Sequence, residues 1–251
     1  MEHEQILETL KYLEPEEQAE LIDLLSLVQI DPTDIDYGRY KDDPKRFGIE
    51  VFGEFYTDDQ IAIMESVRDN PVTIAESANG TGKTHIAARI ATWWYKCHEG
   101  VQVYTAAAPP IDNLIKLLWG ELGSLTTYHP QVFQDDRRRY LNIQRNPQEF
   151  ITGVAIPMSG NPQEREAKFS GKHAPHLLFI LDEADAIPPE VYSGIESCLS
   201  GGKGRLLMMY NPRSNEGPVA AMKARGVPVI RLSAFNHPNV IVTGKQDSMP
   251  E

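Results

Sequence analysis

The sequence predicts an α/β fold of three layers around a mostly parallel central sheet, and three observations carry that expectation. From residue 52 onward, short apolar runs alternate with segments of helical period, the pattern of successive βα units. One run, residues 177–181, reads Leu-Leu-Phe-Ile-Leu, apolar at every position as a strand buried on both faces requires. A glycine-rich turn stands between another apolar run and an amphipathic helical segment. With 251 residues the chain can bury a sizeable core, and 41% hydrophobic against 24% charged residues is a globular composition.

The elements follow in chain order. Ile6, Leu7, Leu10 and Leu13 recur at helical spacing; Pro15 and its acidic neighbours then restart a helix carrying Leu21, Ile22, Leu24, Leu25 and Val28. This N-terminal helical element either packs on the body or serves as a docking arm. Residues 31–48 hold Asp, Pro, Gly and Lys without a clear period and read as a linker. The organisation expected is therefore an arm and linker over 1–48, one main domain over 49–242, and a polar tail over 243–251. Within the main domain, strands are predicted over 72–75, 101–106, 150–158, 177–181, 205–210 and 227–232. Helices are predicted over 84–95, where Ile86, Ala87, Ile90, Ala91 and Trp94 share a face, and over 111–122 and 191–199.

Composition removes several classes of function. No apolar run reaches the ~18 residues needed to span a bilayer. The N-terminus, Met1-Glu2-His3-Glu4, is acidic and lacks the basic-then-apolar layout of a secretory signal, and no membrane partner is expected. Cys97 and Cys198 stand far apart, outside disulfide-framework or zinc spacing, which fits a reducing cytoplasm. A net charge of −12 argues against nucleic-acid binding only at first sight, because most of the acidic excess lies in residues 1–50 and the rest is near neutral.

The chemistry concentrates in a few motifs. Ser77, Ala78, Asn79, Gly80, Thr81, Gly82, Lys83 and Thr84 match the P-loop pattern, except that Ser77 replaces its first glycine. Gly80 and Gly82 free the backbone to turn its N–H groups toward phosphate, Lys83 can reach the β- and γ-phosphates, and the Thr84 hydroxyl can ligate Mg²⁺. About 100 residues on, the apolar run 177–181 ends in Asp182-Glu183, as a Walker B strand does. Asp182 would hold Mg²⁺ through water and Glu183 would polarise the attacking water. Asp185 reads as a supporting or solvated acid.

The Asp-Glu pair separates this chain from the switch GTPases. No Asn-Lys-x-Asp guanine-reading motif occurs, which leaves adenine as the expected base and ATP as the nucleotide. Gln60, seventeen residues before Ser77, is the candidate base reader, through an amide that can donate to and accept from adenine; the plainer reading is a solvent-facing helical Gln. Tyr56 either stacks on the base or belongs to the core. The strand over 205–210 ends in Asn211-Pro212, which puts Asn211 where it can sense the γ-phosphate or the lytic water; the plainer reading is a turn residue.

Together these pieces resemble the ATPase domain of the terminase large subunit of tailed bacteriophages, the motor that packages DNA into the prohead. The resemblance runs from roughly Glu14 to the end. It rests on Gln60, the P-loop, Ala106 to Pro110 followed by Leu118-Trp119-Gly120, the approach Phe169-Ser170-Gly171-Lys172-His173-Ala174, Asp182-Glu183-Ala184 and Asn211-Pro212. It implies a P-loop NTPase fold of the RecA-like (ASCE) kind, Mg²⁺-dependent ATP hydrolysis, and double-stranded DNA, a portal protein and the small terminase subunit as partners. It also implies a homo-oligomeric ring when active, a monomer in isolation, and the host cytoplasm as location. Many members carry an Arg inside the P-loop and this chain has none, so no such role is carried over. The nuclease domain of the family is expected to be absent, with residues 243–251 starting the linker to it. An arginine supplied by a neighbouring subunit is implied, with Arg165 and Arg139 as candidates; the run Arg137-Arg138-Arg139 reads equally well as a DNA-phosphate patch. Two alternatives stay open: a helicase-like ATPase stimulated by nucleic acid, and a nucleotide-binding assembly module without turnover.

Overall fold

The computed structural model describes residues 35–78, 80–159, 161–199, 204–213 and 216–234. The predicted N-terminal helical element, Asn79 and the predicted tail over 243–251 lie outside the described residues.

The main strands and helices alternate. β1 (Val72–Ser77) leads through the glycine-rich turn into α3 (Lys83–Cys97) and then β2 (Val101–Ala107). Two helices precede them, α1 (Pro44–Phe52) and α2 (Asp58–Asp69). After β2 come α4 (Asp112–Lys116), α5 (Leu118–Tyr128), β3 (Arg137–Arg139), β4 (Asn142–Asn146) and β5 (Glu149–Gly153). The chain continues through α6 (Pro162–Phe169), β6 (His176–Asp182), α7 (Pro189–Leu199), β7 (Gly204–Tyr210), α8 (Pro218–Ala224) and β8 (Val229–Leu232). The eight strands form one sheet in the order β3-β4-β5-β2-β6-β7-β1-β8. β5, β2, β6, β7, β1 and β8 run parallel, while β4 pairs antiparallel with both β3 and β5.

Three layers follow from the alternation of side chains along each strand. Val101, Val103, Leu178, Ile180, Leu207 and Met209 face one way and are covered by α1, α2, α3 and α5. Leu177, Phe179, Leu181, Leu206 and Met208 face the other way and are covered by α6, α7 and α8. The central position of β6, with a core on each side, accounts for its unbroken apolar run. No described helix is long and apolar enough to cross a membrane.

Some expectations need correction. The linker read over 31–48 does not hold where it is described: Tyr37–Tyr40 forms a 3-10 turn and α1 starts at Pro44. Tyr40 and Phe47 are buried, and Trp93 Nε1 of α3 donates to the Tyr40 carbonyl at 2.9 Å. Asp43, Pro44 and Gly53, which punctuate loops, here cap α1: Asp43 accepts from Arg46 N and Gly53 adopts φ 66°. The helix expected over 111–122 is two helices, broken at Leu117 (φ −95°, ψ −85°), and the second continues to Tyr128. The strand expected over 150–158 stops at Gly153. α2, α6, α8 and the β3–β4 hairpin go beyond the expected elements; the hairpin is short and polar, and its Arg137–Arg139 strand is exposed throughout.

Candidate active site

The sheet order places the site. β1 and β6 are not neighbours; β7 lies between them and pairs with both. The C-terminal ends of β1, β7 and β6 therefore bring the turn after Ser77, the Asn211 segment and Asp182-Glu183 to one edge. Ligands of open α/β sheets bind outside this carboxyl edge.

The turn is built to expose its backbone. Gly80 and Gly82 have φ of 76° and 85°, a region that side chains with a Cβ avoid. Gly82 is also the N-cap of α3 and supplies no side-chain cap, so the first N–H groups of a fifteen-residue helix point toward the cleft without one. Ser77 is more than a tolerated replacement for glycine. Its Oγ accepts from Lys83 Nζ at 2.7 Å and from Thr81 Oγ1 at 2.6 Å, and donates to the Ala78 carbonyl at 2.9 Å. The Lys83 ammonium also donates to the Ala78 carbonyl at 3.0 Å and to Asn211 Oδ1, which engages its three N–H bonds. Burial lowers the Lys83 pKa, and the charges of Asp182 and Glu183 oppose that shift.

Asp182, at the end of β6, is 2% exposed. Its Oδ1 accepts the Glu183 backbone N–H at 3.0 Å. Burial pushes its carboxyl up to about 6, with the Glu183 charge adding to the shift and the Glu183 N–H and Lys83 opposing it. Glu183 adopts φ 50° and ψ 44°, a left-handed conformation seldom seen outside glycine and Asn, and one that clusters at functional positions. Its Oε2 is 3.0 Å from Nη2 of Arg213.

A cleft of about 340 Å³ runs along these groups, lined by residues 80–85 together with Leu117, Glu121, Asp182 and Glu183. Gln60 stands behind the turn and is buried. Its Oε1 accepts the Thr57 N–H at 3.1 Å in the capping box of α2, and a Cβ added at Gly82 would come within 2.8 Å of its Nε2. The amide is thus half committed to its own helix. Its NH₂ faces the turn, and the paired donor-and-acceptor readout expected of it is reduced to a donor. Tyr56 is partly buried against the core and donates to Glu54 at 2.8 Å, which favours the core reading.

Arg165 and Arg139 do not line the cleft. Arg165, on α6, donates to the carbonyls of Pro157 at 3.2 Å and Met158 at 3.4 Å, and lies 4.0 Å from Glu190. Arg139 is exposed on the edge strand β3. Three residues that sequence reasoning missed do stand at the site. Arg213 is one, although it lies only two residues past Asn211. Arg89, buried six residues into α3 from Lys83, donates to both Glu54 and Glu121 at 2.8 and 2.7 Å. His85 sits between the same carboxylates at 3.6 and 3.7 Å, its pKa lowered by burial and by Arg89. Only the fold brings Glu54 and Glu121 together, so no local signal marks them.

The donor set fits Mg²⁺. Thr84 and Asp182 line the same cleft and offer a hydroxyl and a carboxylate, both hard oxygen donors. No group of three or more His, Cys, Asp or Glu among the described residues could hold a metal by itself. That suits an ion which keeps waters and takes further ligands from substrate phosphates.

No known family profile matches the chain. A curated relative, the probable terminase large subunit of Enterobacteria phage P7, is 27% identical over 175 residues, aligning 66% of this chain and 34% of its own length. Among solved structures, the large terminase ATPase domain of Thermus phage P74-26 superposes with a TM-score of 0.56 at 17% identity, covering 83% of this chain and 94% of that one. The large terminase of a second thermophilic bacteriophage gives 0.56 at 12% identity, over 76% of this chain and 50% of that one, and has also been solved with ADP. Its relatives are terminase large subunits. The resemblance read from the motifs is thereby borne out, in sequence by the phage P7 protein and in fold by the terminase ATPase domains. This chain spans about a third of the curated relative's length.

Proposed function

We propose that this chain is the ATPase motor of a terminase large subunit, hydrolysing ATP with Mg²⁺ to drive double-stranded DNA into a prohead. The observation that carries the reading is the convergence, on one cleft, of Lys83 with Asn211 and of Asp182 with Glu183, at the edge where β1, β7 and β6 end. The residues 77–84, including Asn79, would wrap the phosphates. Lys83 exchanges Ser77 Oγ and the Ala78 carbonyl for phosphate oxygens. Thr84 and Asp182 would hold Mg²⁺, which when bound neutralises charge on the β- and γ-phosphates. Glu183 orients the water and takes its proton as the water oxygen attacks the γ-phosphorus. The bond from that phosphorus to the bridging oxygen breaks, and its electron pair leaves with ADP. Asn211, held by Lys83, would follow the γ-phosphate, and the Gln60 NH₂ would donate to the adenine.

The wider assignment extends the resemblance read from the motifs. It comprises a homo-oligomeric ring, with Arg165 or Arg139 reaching a neighbour's cleft, a portal protein and small terminase subunit as partners, and the host cytoplasm as location. The expected boundary at 48/49 falls inside α1, so the ATPase body is taken to include the described residues from 35 onward, with 243–251 as the tail.

Phosphate release with and without double-stranded DNA tests the reading. Release stimulated by DNA is expected, and Glu183→Gln should keep ATP binding while losing most turnover, a drop of about a hundredfold or more. Wild-type turnover in that variant would remove the Walker B assignment. A nucleotide-binding module would bind ATP without releasing phosphate under any condition.

A further inference from the structure

Two side chains of one short segment rest on the two principal residues of the site. Asn211 accepts from Lys83, and Arg213, across Pro212, pairs with Glu183 at 3.0 Å. Arg213 is the arginine of this chain that reaches the candidate catalytic carboxylate, whereas Arg165 bonds carbonyls of its own approach loop and Arg139 stands on the sheet's edge strand. The Arg213 side chain is 60% exposed against 22% for Glu183, so the guanidinium reaches in from solvent and is free of the packing that would fix it. Through Glu183, which lines the cleft together with Lys83, the guanidinium stands at the edge of the candidate phosphate site. A guanidinium bonded to Oε2 holds the Glu183 carboxylate turned toward Arg213. A γ-phosphate carries more charge than a carboxylate and accepts the same planar fork.

We propose that Arg213 is a positioning residue that senses the γ-phosphate within its own subunit: it restrains Glu183 until ATP binds, then moves to the γ-phosphate and releases Glu183 to the water. This rests on the reading of the cleft as an ATPase site and adds a cis arginine to it, separate from any arginine supplied by a neighbour. The exchange also explains why Asn211 and Arg213 share a segment. Asn211 stays on Lys83 as phosphate arrives at that ammonium, and Arg213 leaves Glu183 for phosphate arriving beyond it, so one short stretch meets both events.

The test is binding, and it needs no turnover. Calorimetry with ADP and with ATPγS, both with Mg²⁺, is run on the full chain as wild type, Arg213→Ala, Arg213→Lys, Glu183→Gln and the Glu183→Gln/Arg213→Ala double variant. Arg213→Ala should hold ADP within about twofold of wild type and ATPγS roughly tenfold or more weakly, the usual cost of a lost charge-assisted hydrogen bond; Arg213→Lys should fall between. Glu183→Gln frees the arginine beforehand and should bind ATPγS up to about fivefold more tightly, the span of an exposed ion pair. That gain should vanish in the double variant. Equal losses for ADP and ATPγS in Arg213→Ala, no loss for either, or a Glu183→Gln gain that survives without Arg213 would each overturn the proposal. Lys83→Ala run alongside separates the two levels: if it binds both nucleotides as wild type does, the reading of the cleft itself has failed. If it loses both while Arg213→Ala loses neither, the cleft stands and only the sensor falls.

Discussion

Asp182 is nearly enclosed by protein, yet its proposed work needs its charge, and the conflict has a measurable sign. Its carboxyl stands at about 6 when folded, against an unfolded value of ~3.9. Between those values the folded chain binds more protons than the unfolded one, so stability falls as pH rises through the window. The deficit is complete above pH ~6 and is on the order of 3 kcal/mol. Asp182→Asn, which keeps the acceptor for the Glu183 N–H, should raise the melting temperature by roughly 6–12 °C at pH 7 and leave it unchanged near pH 4. The same variant should lose Mg²⁺-dependent nucleotide binding, and wild-type binding should weaken below pH 6 as Asp182 takes up a proton. A melting temperature at pH 7 no higher than wild type would show that burial does not penalise this charge. Lys83 is the second buried charge of the site. Its three donors are engaged by Ser77, Ala78 and Asn211, so Lys83→Ala removes the charge nearest the phosphates and three hydrogen bonds, a loss offset by relief of the buried charge. ATPγS binding should fall at least tenfold with little change in thermal stability, and unchanged affinity by calorimetry would contradict the P-loop reading.

At the scale of elements, α3 is held at both ends of its first turns. Gly82 points its free N–H groups at the cleft, and Arg89 ties it to Glu54, just before α2, and to Glu121 on α5. Arg89 is 7% exposed, so removing it leaves a largely desolvated Glu54 carboxylate with only Tyr56 and His85 near it. Arg89→Ala should cost about 3 kcal/mol, the range for breaking a buried pair from one side. That corresponds to a fall in melting temperature of roughly 6–12 °C. Adding Glu54→Gln should restore part of the loss, because the stranded charge goes with it. A double variant no more stable than Arg89→Ala would mean that packing of the Arg stem, and not the charge, was lost.

The molecule as a whole sets where an arginine from a neighbour could act. Arg165 is engaged by carbonyls of its own chain and lies away from its own cleft. If it serves a neighbouring subunit, Arg165→Ala should bind ATPγS as wild type does and lose turnover under conditions that allow assembly. Mixing it with Glu183→Gln should then restore activity at interfaces that combine an intact cleft with an intact arginine. An arginine finger contributes ~10³–10⁵ in rate, so even a small restored fraction is measurable. Unchanged turnover in Arg165→Ala would move the role to Arg139, to be tested by the same mixing.

What the sequence determined by itself were the features whose cause is local. The run over 177–181 is a strand with a core on each side, which its five consecutive apolar residues fit. Gly80 and Gly82 mark the turn because its backbone angles exclude other residues. The α1 helix is hidden by its own caps, since Asp43, Pro44 and Gly53 spell a loop until a buried face made of Phe47, Val51 and Phe52 is seen. The tertiary structure decided everything that depends on strands far apart in sequence meeting at one edge. With β7 placed between β1 and β6, Asn211 bonds Lys83 across 128 positions and Arg213 pairs with Glu183 across 30. Such contacts arise from sheet order, and sheet order is a property of the packed whole: no residue spacing along the chain encodes which strand will lie between two others.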